Sequence, residues 1–220
     1  MFFCKLFSHP KDRQISVFVE GNIGAGKTSC IHLAKDLLSK KKLFVLTFVE
    51  DVDRWKNEHL LDDMYAAKST RPGSRAFHVL GCLHQYIRRA KYQREKGEAF
   101  DFVVSERHAS TTLEVFAADR CVTEMFELVN DVYRFMTPPK YTIYLKTSPR
   151  ECLNRVKNRK RRCENNITLE RLAEIDLAHD MMMERRSARG GVVFEIECTN
   201  LSPEEIAARM CDSILSIPRR

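Results

Sequence analysis

The stretch Ile15 to Thr28, ISVFVEGNIGAGKT, constrains this chain more than any other. A β-rich apolar run feeds directly into Gly21-Asn22-Ile23-Gly24-Ala25-Gly26-Lys27-Thr28, and an amphipathic stretch from Cys30 to Leu38 follows. Strand, glycine-rich turn and helix in that order make a phosphate-binding loop. Backbone N–H groups of such a loop turn inward as an anion nest. Glycines keep Cβ atoms away from the phosphate oxygens, and the helix opening near Gly26 adds its positive dipole end. On this reading Gly21, Asn22, Ile23, Gly24, Ala25, Gly26, Lys27 and Thr28 bind ATP. Lys27 holds the β and γ phosphates, and Thr28 offers its hydroxyl to Mg²⁺.

The rest of the chain alternates strands and helices. Leu43 to Val49 reads as a second strand, parallel to the first because a helix separates the two. Further strands are expected at Asp101 to Ser105, Tyr141 to Leu145 and Val192 to Glu197. Helices are expected over Glu58 to Tyr65, about Arg75 to Glu95, Leu113 to Phe135, from Pro149, over Leu169 to Arg186, and from Ser202-Pro203-Glu204-Glu205. This pattern predicts an α/β fold: a P-loop NTPase-type doubly wound sheet of about five parallel strands, with a helical lid at about 155–166. The 220 residues, 44% of them apolar, suit a single domain.

A phosphate loop alone leaves kinases, GTPases, motors and nucleic-acid ATPases open, so the neighbouring charged groups must discriminate. In open parallel sheets ligands sit outside the carboxyl ends of the strands. The second strand delivers Glu50, Asp51 and Trp55 there, and the third closes with Glu106 followed by Arg107. Glu50 is placed to accept a proton from a substrate hydroxyl, Glu106 to hold the Mg²⁺ shell, and Arg107 to bind phosphate. Arg155, Arg159 and Arg161 continue a helix beyond the fourth strand and are expected to share one face. A lid of that kind brings guanidinium groups onto the transferring phosphoryl and excludes water. The bland reading of Lys157 to Arg162 is a solvated basic face, and the run also resembles a nuclear-localisation signal.

The net charge of +7 suits phosphorylated small molecules and nucleic acid alike. Eight cysteines lie far apart with no C-x-x-C pair, which indicates neither a zinc site nor a disulfide framework and points to reduced thiols inside the cell, in the cytoplasm by expectation. Met1 to Phe7 is too short for a signal h-region, and no later segment reaches membrane-spanning length, so no membrane partner is expected.

The chain resembles deoxyribonucleoside kinases of the group containing the deoxycytidine, deoxyguanosine and mitochondrial thymidine kinases, related also to herpesvirus thymidine kinases. The resemblance runs through Glu20 to Thr28, Glu50-Asp51-Val52-Asp53-Arg54-Trp55, Phe77-His78 with Cys82-Leu83, Glu106-Arg107-His108, Phe116-Ala117-Ala118 and the three lid arginines. It implies that Glu50 is the general base for the sugar 5′-hydroxyl, that Arg107 contacts the 5′ end and phosphates, and that Glu106 helps hold magnesium. It also implies that Tyr65 meets the 3′-hydroxyl, that Trp55, Phe77 and Phe116 wall the base pocket, and that Arg155 contacts ATP while Arg159 and Arg161 act in catalysis. A homodimer built on the two long central helices is a further implication.

Several positions depart from that family pattern. Asp51 stands where proline usually follows the catalytic acid, and His78 where a glutamine reads the base edge. Gln85 and Thr112 occupy positions that carry Arg and Asp in deoxycytidine-preferring relatives, which argues against strict deoxycytidine use. His108 replaces a serine, and the second 3′-hydroxyl acid falls at Ala173, with Glu174 one step along. The expected activity is transfer of the ATP γ-phosphoryl to the 5′-hydroxyl of a deoxyribonucleoside, thymidine or another pyrimidine first, with Mg²⁺ and without nucleic acid. The alternatives are a nucleoside monophosphate kinase such as thymidylate kinase, against which Glu50 argues, and a basic P-loop ATPase or nucleic-acid-binding module.

Overall fold

The computed structural model describes residues 14–57, 87–89, 91–92, 100–116 and 137–219. Among these residues the strands are β1 (Ile15–Gly21), β2 (Val45–Phe48), β3 (Phe102–Glu106), β4 (Tyr141–Lys146) and β5 (Val192–Glu197). The helices are α1 (Lys27–Lys40), α2 (Val52–Asn57), α3 (Pro149–Asn158), α4 (Leu169–Ala188) and α5 (Pro203–Leu215). Every strand pairing is parallel, in the order β2-β3-β1-β4-β5. The chain leaves β1 toward the β2 edge, returns through β3, and then crosses to β4 and β5 on the other side. The reversal opens a crevice between the carboxyl ends of β1 and β3, where doubly wound folds bind their ligands.

The inner strands are apolar because both faces of a parallel sheet are covered. β3 is buried throughout, as are Val17 to Gly21 of β1 and Thr142 to Leu145 of β4. Val19 pairs with Glu106 and Ile143, so β3 ends two residues short of the end of β1 and sets its terminal acid beside the start of the phosphate loop. α1 and α5 pack together, with the Cys211 thiol donating to the Ala34 carbonyl at 3.5 Å, and Ile31, Leu38, Met210 and Ile214 are fully buried.

Side-chain caps set where three helices begin. The Ser148 hydroxyl accepts from Glu151 N–H ahead of Pro149, and Thr168 does the same for Arg171. Ser202 and Glu205 exchange bonds in a complete capping box at the start of α5. Among the described residues no helix is long and apolar enough to cross a membrane.

The second strand is shorter than the hydrophobic run implied. Lys41, Lys42 and Leu43 donate back to Ser39 and Leu38 carbonyls, with Lys42 left-handed at φ 63°, so the end of α1 takes Leu43, the first residue the pattern assigned to the strand. α1 starts at Lys27, directly after Gly26 where the helix was expected to open, β3 runs on to Glu106, and a short helix that the pattern did not assign, Val52–Asn57, follows β2. The region expected to become helical at Leu113 opens with a π-type turn, Thr112–Phe116. Apart from that turn and the helical residues 87–89 and 91–92, the helices expected over 58–65, 75–95 and 113–135 lie outside the described residues.

Candidate active site

The loop between β1 and α1 is built around backbone contacts that exclude side chains. Gly24 sits at φ 86°, and a Cβ there would lie 2.6 Å from the Cys152 carbonyl oxygen of α3. Gly26, at φ 90°, is the left-handed residue from which α1 starts. Lys27 is buried, and its ammonium donates to the Gly21 carbonyl at 3.1 Å and the Asn22 carbonyl at 2.9 Å. Burial pulls its pKa from 10.5 down to about 8, with the Arg107 charge adding to the effect and Glu106 and Glu50 opposing it. A cation held so far from water gains strongly from an arriving anion. Asn22 ties the loop to α4, its amide donating to the Leu172 carbonyl at 2.8 Å.

Across the crevice stand two acids and an arginine. Glu106 is buried at the end of β3; its Oε2 accepts from the Thr28 hydroxyl at 2.9 Å and from the Glu50 N–H at 3.3 Å. Burial, then the Glu50 charge, raises its pKa, while Lys27 and Arg107 work the other way. Thr28 and Glu106 are the groups that could hold a metal. Both offer oxygen, and among the described residues no cluster of three His, Cys, Asp or Glu forms a cage. Such a sparse oxygen set suits Mg²⁺, which binds through one or two protein oxygens plus phosphate and water. Arg107 Nη1 meets Glu50 Oε1 at 2.5 Å, in an ion pair about nine-tenths buried. Burial opposes the guanidinium charge, but Glu50 and Glu106 more than compensate and raise its pKa.

Trp55 of α2 is buried, Thr112 is buried in the π-type turn, and the Phe116 ring lies 5.0 Å from the Arg107 guanidinium carbon. His179 backs Phe116 edge-on at 6.1 Å and stacks on Tyr144. The ring is neutral: burial, then Arg107, holds its pKa well below the usual value, and Nδ1 donates to the Ile175 carbonyl at 2.8 Å. Tyr65, Phe77, His78 and Gln85 lie outside the described residues.

The lid arginines do not share a helix face. α3 ends at Asn158, Lys160 turns left-handed at φ 51°, and a 3₁₀ turn covers Arg162–Glu164. Arg159 and Arg161 instead converge on the buried Glu164. Arg159 makes a two-pronged contact, 2.6 Å on each prong, and Arg161 approaches to 3.5 Å. Arg155 is held by Glu151 at 2.8 Å and by the Cys198 carbonyl at 3.2 Å, with its Nη1 3.8 Å from where a Cβ on Gly26 would stand. The structure thus brings Lys27, Thr28, Glu50, Glu106 and Arg107 together around the crevice and sets Arg155 over the loop.

Residues 17–214 match the family model for deoxynucleoside kinases. The chain belongs to the deoxynucleoside kinase family. It is 25% identical over 194 residues to the thymidine kinase of Elephantid herpesvirus 1, covering 80% of this chain and 53% of that protein. It is 32% identical over 62 residues to the deoxyguanosine kinase of Dictyostelium discoideum, covering 28% of this chain and 22% of that one. The chain therefore spans about half, and about a fifth, of these two relatives. The fold is that of the deoxyadenosine kinase from M. mycoides, solved with its products dCMP and a flexible dCDP bound, at a TM-score of 0.69 and 15% identity over 92% of this chain and all of that one.

The structure accounts for three departures from the family pattern. Asp51 accepts from Arg88 at 3.0 Å on the surface, and its carbonyl takes the Trp55 N–H of α2. His108 is buried, packs edge-on against Phe18 at 4.8 Å and closes a tight turn, with Nδ1 accepting from Ser110 N–H at 3.1 Å. Burial, then Arg186 and Arg89, keeps that ring neutral. Glu174 is exposed and pairs with Arg171, and the buried acid next to Arg159 and Arg161 is Glu164. Its signal was its spacing, three and five residues beyond two lid arginines. Sequence reasoning also assigned nothing to Glu20 and Arg186, which form a buried ion pair at 3.0 Å. Their signal was charge on apolar ground: an acid inside the β1 run, and an arginine in register with Leu172, Ile175, His179 and Met182 on α4.

Proposed function

We propose that this deoxynucleoside kinase family member transfers the γ-phosphoryl of ATP to the 5′-hydroxyl of a deoxyribonucleoside, with thymidine or another pyrimidine preferred. The observation that carries the reading is the buried Glu50–Arg107 pair beside Lys27 and the Thr28–Glu106 contact. Glu50 takes the hydroxyl proton, and Arg107 steadies the carboxylate and meets the phosphoryl as charge builds on it. Lys27 and the loop amides bind the donor phosphates, with Arg155 above them. Arg159 and Arg161, oriented by Glu164, neutralise the transferring group and keep water out. Thr28 and Glu106 would hold Mg²⁺, which screens phosphate charge when bound. Trp55, Phe116 and Thr112, with Tyr65, Phe77, His78 and Gln85, line the acceptor site by family likeness. The homodimer expected from that likeness rests on helices outside the described residues.

A phosphorylation panel of thymidine, deoxycytidine, deoxyadenosine, deoxyguanosine and thymidine monophosphate, with ATP and Mg²⁺, tests the reading through kcat/KM. A pyrimidine nucleoside is expected to lead. Activity confined to the monophosphate would move the protein to the monophosphate kinases, and no transfer to any of the five would remove the kinase assignment.

A further inference from the structure

Glu20 is the last side chain of β1 before the loop glycine, fully buried, and has no part in the reaction proposed above. Its Oε1 accepts three hydrogen bonds: from the His108 N–H at 2.9 Å, the Thr111 hydroxyl at 2.6 Å and Arg186 Nη1 at 3.0 Å. Arg186, near the end of α4, also donates to Thr111 Oγ1 at 3.1 Å and Ser110 Oγ at 3.4 Å. Its neighbour Arg185 takes Glu114 at 3.3 Å. Two consecutive arginines of α4 and one acid of β1 therefore grip the segment between Arg107 and Phe116 from both sides.

That segment needs a grip. Arg107 stands at φ 58°, a conformation that a non-glycine residue keeps only when its surroundings impose it. The same residue carries the guanidinium that meets Glu50, and Phe116 closes the segment. Burial of a carboxylate with a guanidinium seldom stabilises more than apolar residues of equal volume, so geometry accounts for the pair better than stability does. We propose that Glu20 and Arg186 are a positioning pair, fixing the turn after β3 so that Arg107 meets Glu50 and Phe116 faces the acceptor site. The inference rests on the roles proposed for Glu50 and Arg107.

The test is steady-state kinetics on Glu20→Gln, Arg186→Met, Arg186→Lys and the double variant Glu20→Gln/Arg186→Met, each shown to be folded by its melting transition. The double variant leaves the interior without a lone charge and covers the case in which a single variant fails to fold. Expected are a fall in kcat of at least tenfold in the double variant, a KM for ATP within twofold of the parent, and partial rescue of Arg186→Met by Arg186→Lys. A double variant with kcat within twofold of the parent overturns the inference, as does a loss expressed only in KM for ATP. Glu50→Gln assayed in parallel separates the two levels. Turnover that survives it overturns the catalytic assignment underneath, whereas turnover lost there and retained in the double variant overturns the positioning pair alone.

Discussion

Replacing Lys27 with methionine should make the ligand-free protein's stability depend differently on pH, even as it removes ATP handling. In the parent, burial brings the Lys27 pKa from 10.5 to about 8. At about 1.4 kcal/mol per tenfold change, holding that proton costs the folded state roughly 3 kcal/mol at pH 7. The sign follows from proton counting. Between the two pKa values the unfolded chain binds the proton and the folded one does not, so the parent gains stability as pH rises from about 8 toward 10.5. By pH 9.5 about 2 kcal/mol of the penalty has gone, and the methionine variant has no such proton to lose. Loss of the bonds to the Gly21 and Asn22 carbonyls shifts the variant's stability by a constant and leaves the slope alone. Urea denaturation of both proteins at pH 7 and 9.5 isolates the difference, because every other group titrates in both. The variant's stability relative to the parent should fall by about 2 kcal/mol, or about 4–8 °C in Tm for a chain of this size. A difference that stays level across that range would refute the burial argument for Lys27.

Four further outcomes follow from the same geometry. Glu50→Gln should lower kcat by about 10²-fold or more while KM for ATP stays near the parent value, since the change removes the proton acceptor and its charge pair with Arg107 and leaves the loop in place; turnover above a tenth of the parent's would remove Glu50 as base. Glu164→Gln halves the anchor of Arg159 and Arg161, so kcat should fall about 10²-fold with a modest loss in Tm, whereas an unchanged kcat would mean the arginines are placed without it. Gly24→Ala sets a Cβ 2.6 Å from the Cys152 carbonyl at a left-handed φ, and should abolish ATP binding by calorimetry and lower Tm; binding at parental affinity would contradict the loop geometry. His78→Gln should shift the ratio of kcat/KM for thymidine and deoxycytidine, since an amide offers the base edge a two-point contact, and an identical ratio would take His78 out of base reading.

Much of the fold was legible because local rules and tertiary structure agree. The loop needs its glycines for positive φ and its lysine for charge. The inner strands need apolar residues on both faces, and α3, α4 and α5 start at Ser and Thr caps that bond within one turn. The acids of the crevice were legible by position, as Glu106 closes β3 and Glu50 follows β2 at the carboxyl edge. Legibility ended where contacts run between distant segments. The helix continuation assumed through Arg161 fails at Lys160, which leaves the helical region so that Arg159 and Arg161 can both reach Glu164. Leu43 and Phe44 carry strand-like chemistry, yet the closing turn of α1 claims Leu43, and Phe44 N–H turns to the Asp101 carboxylate 57 residues away.

By itself the sequence determined a phosphate loop between a strand and a helix, the alternation that makes a parallel sheet, and the placing of Glu50, Glu106 and Arg107 at its edge. Periodicity, glycine chemistry and charge are properties of short windows, and they survive without knowledge of the partner. Only the tertiary structure decided which charge neutralises which. Glu50 faces Arg107 across 57 positions and Glu20 faces Arg186 across 166. Such pairs form because strand order and helix packing bring remote side chains into a dry interior, where a lone charge costs several kcal/mol.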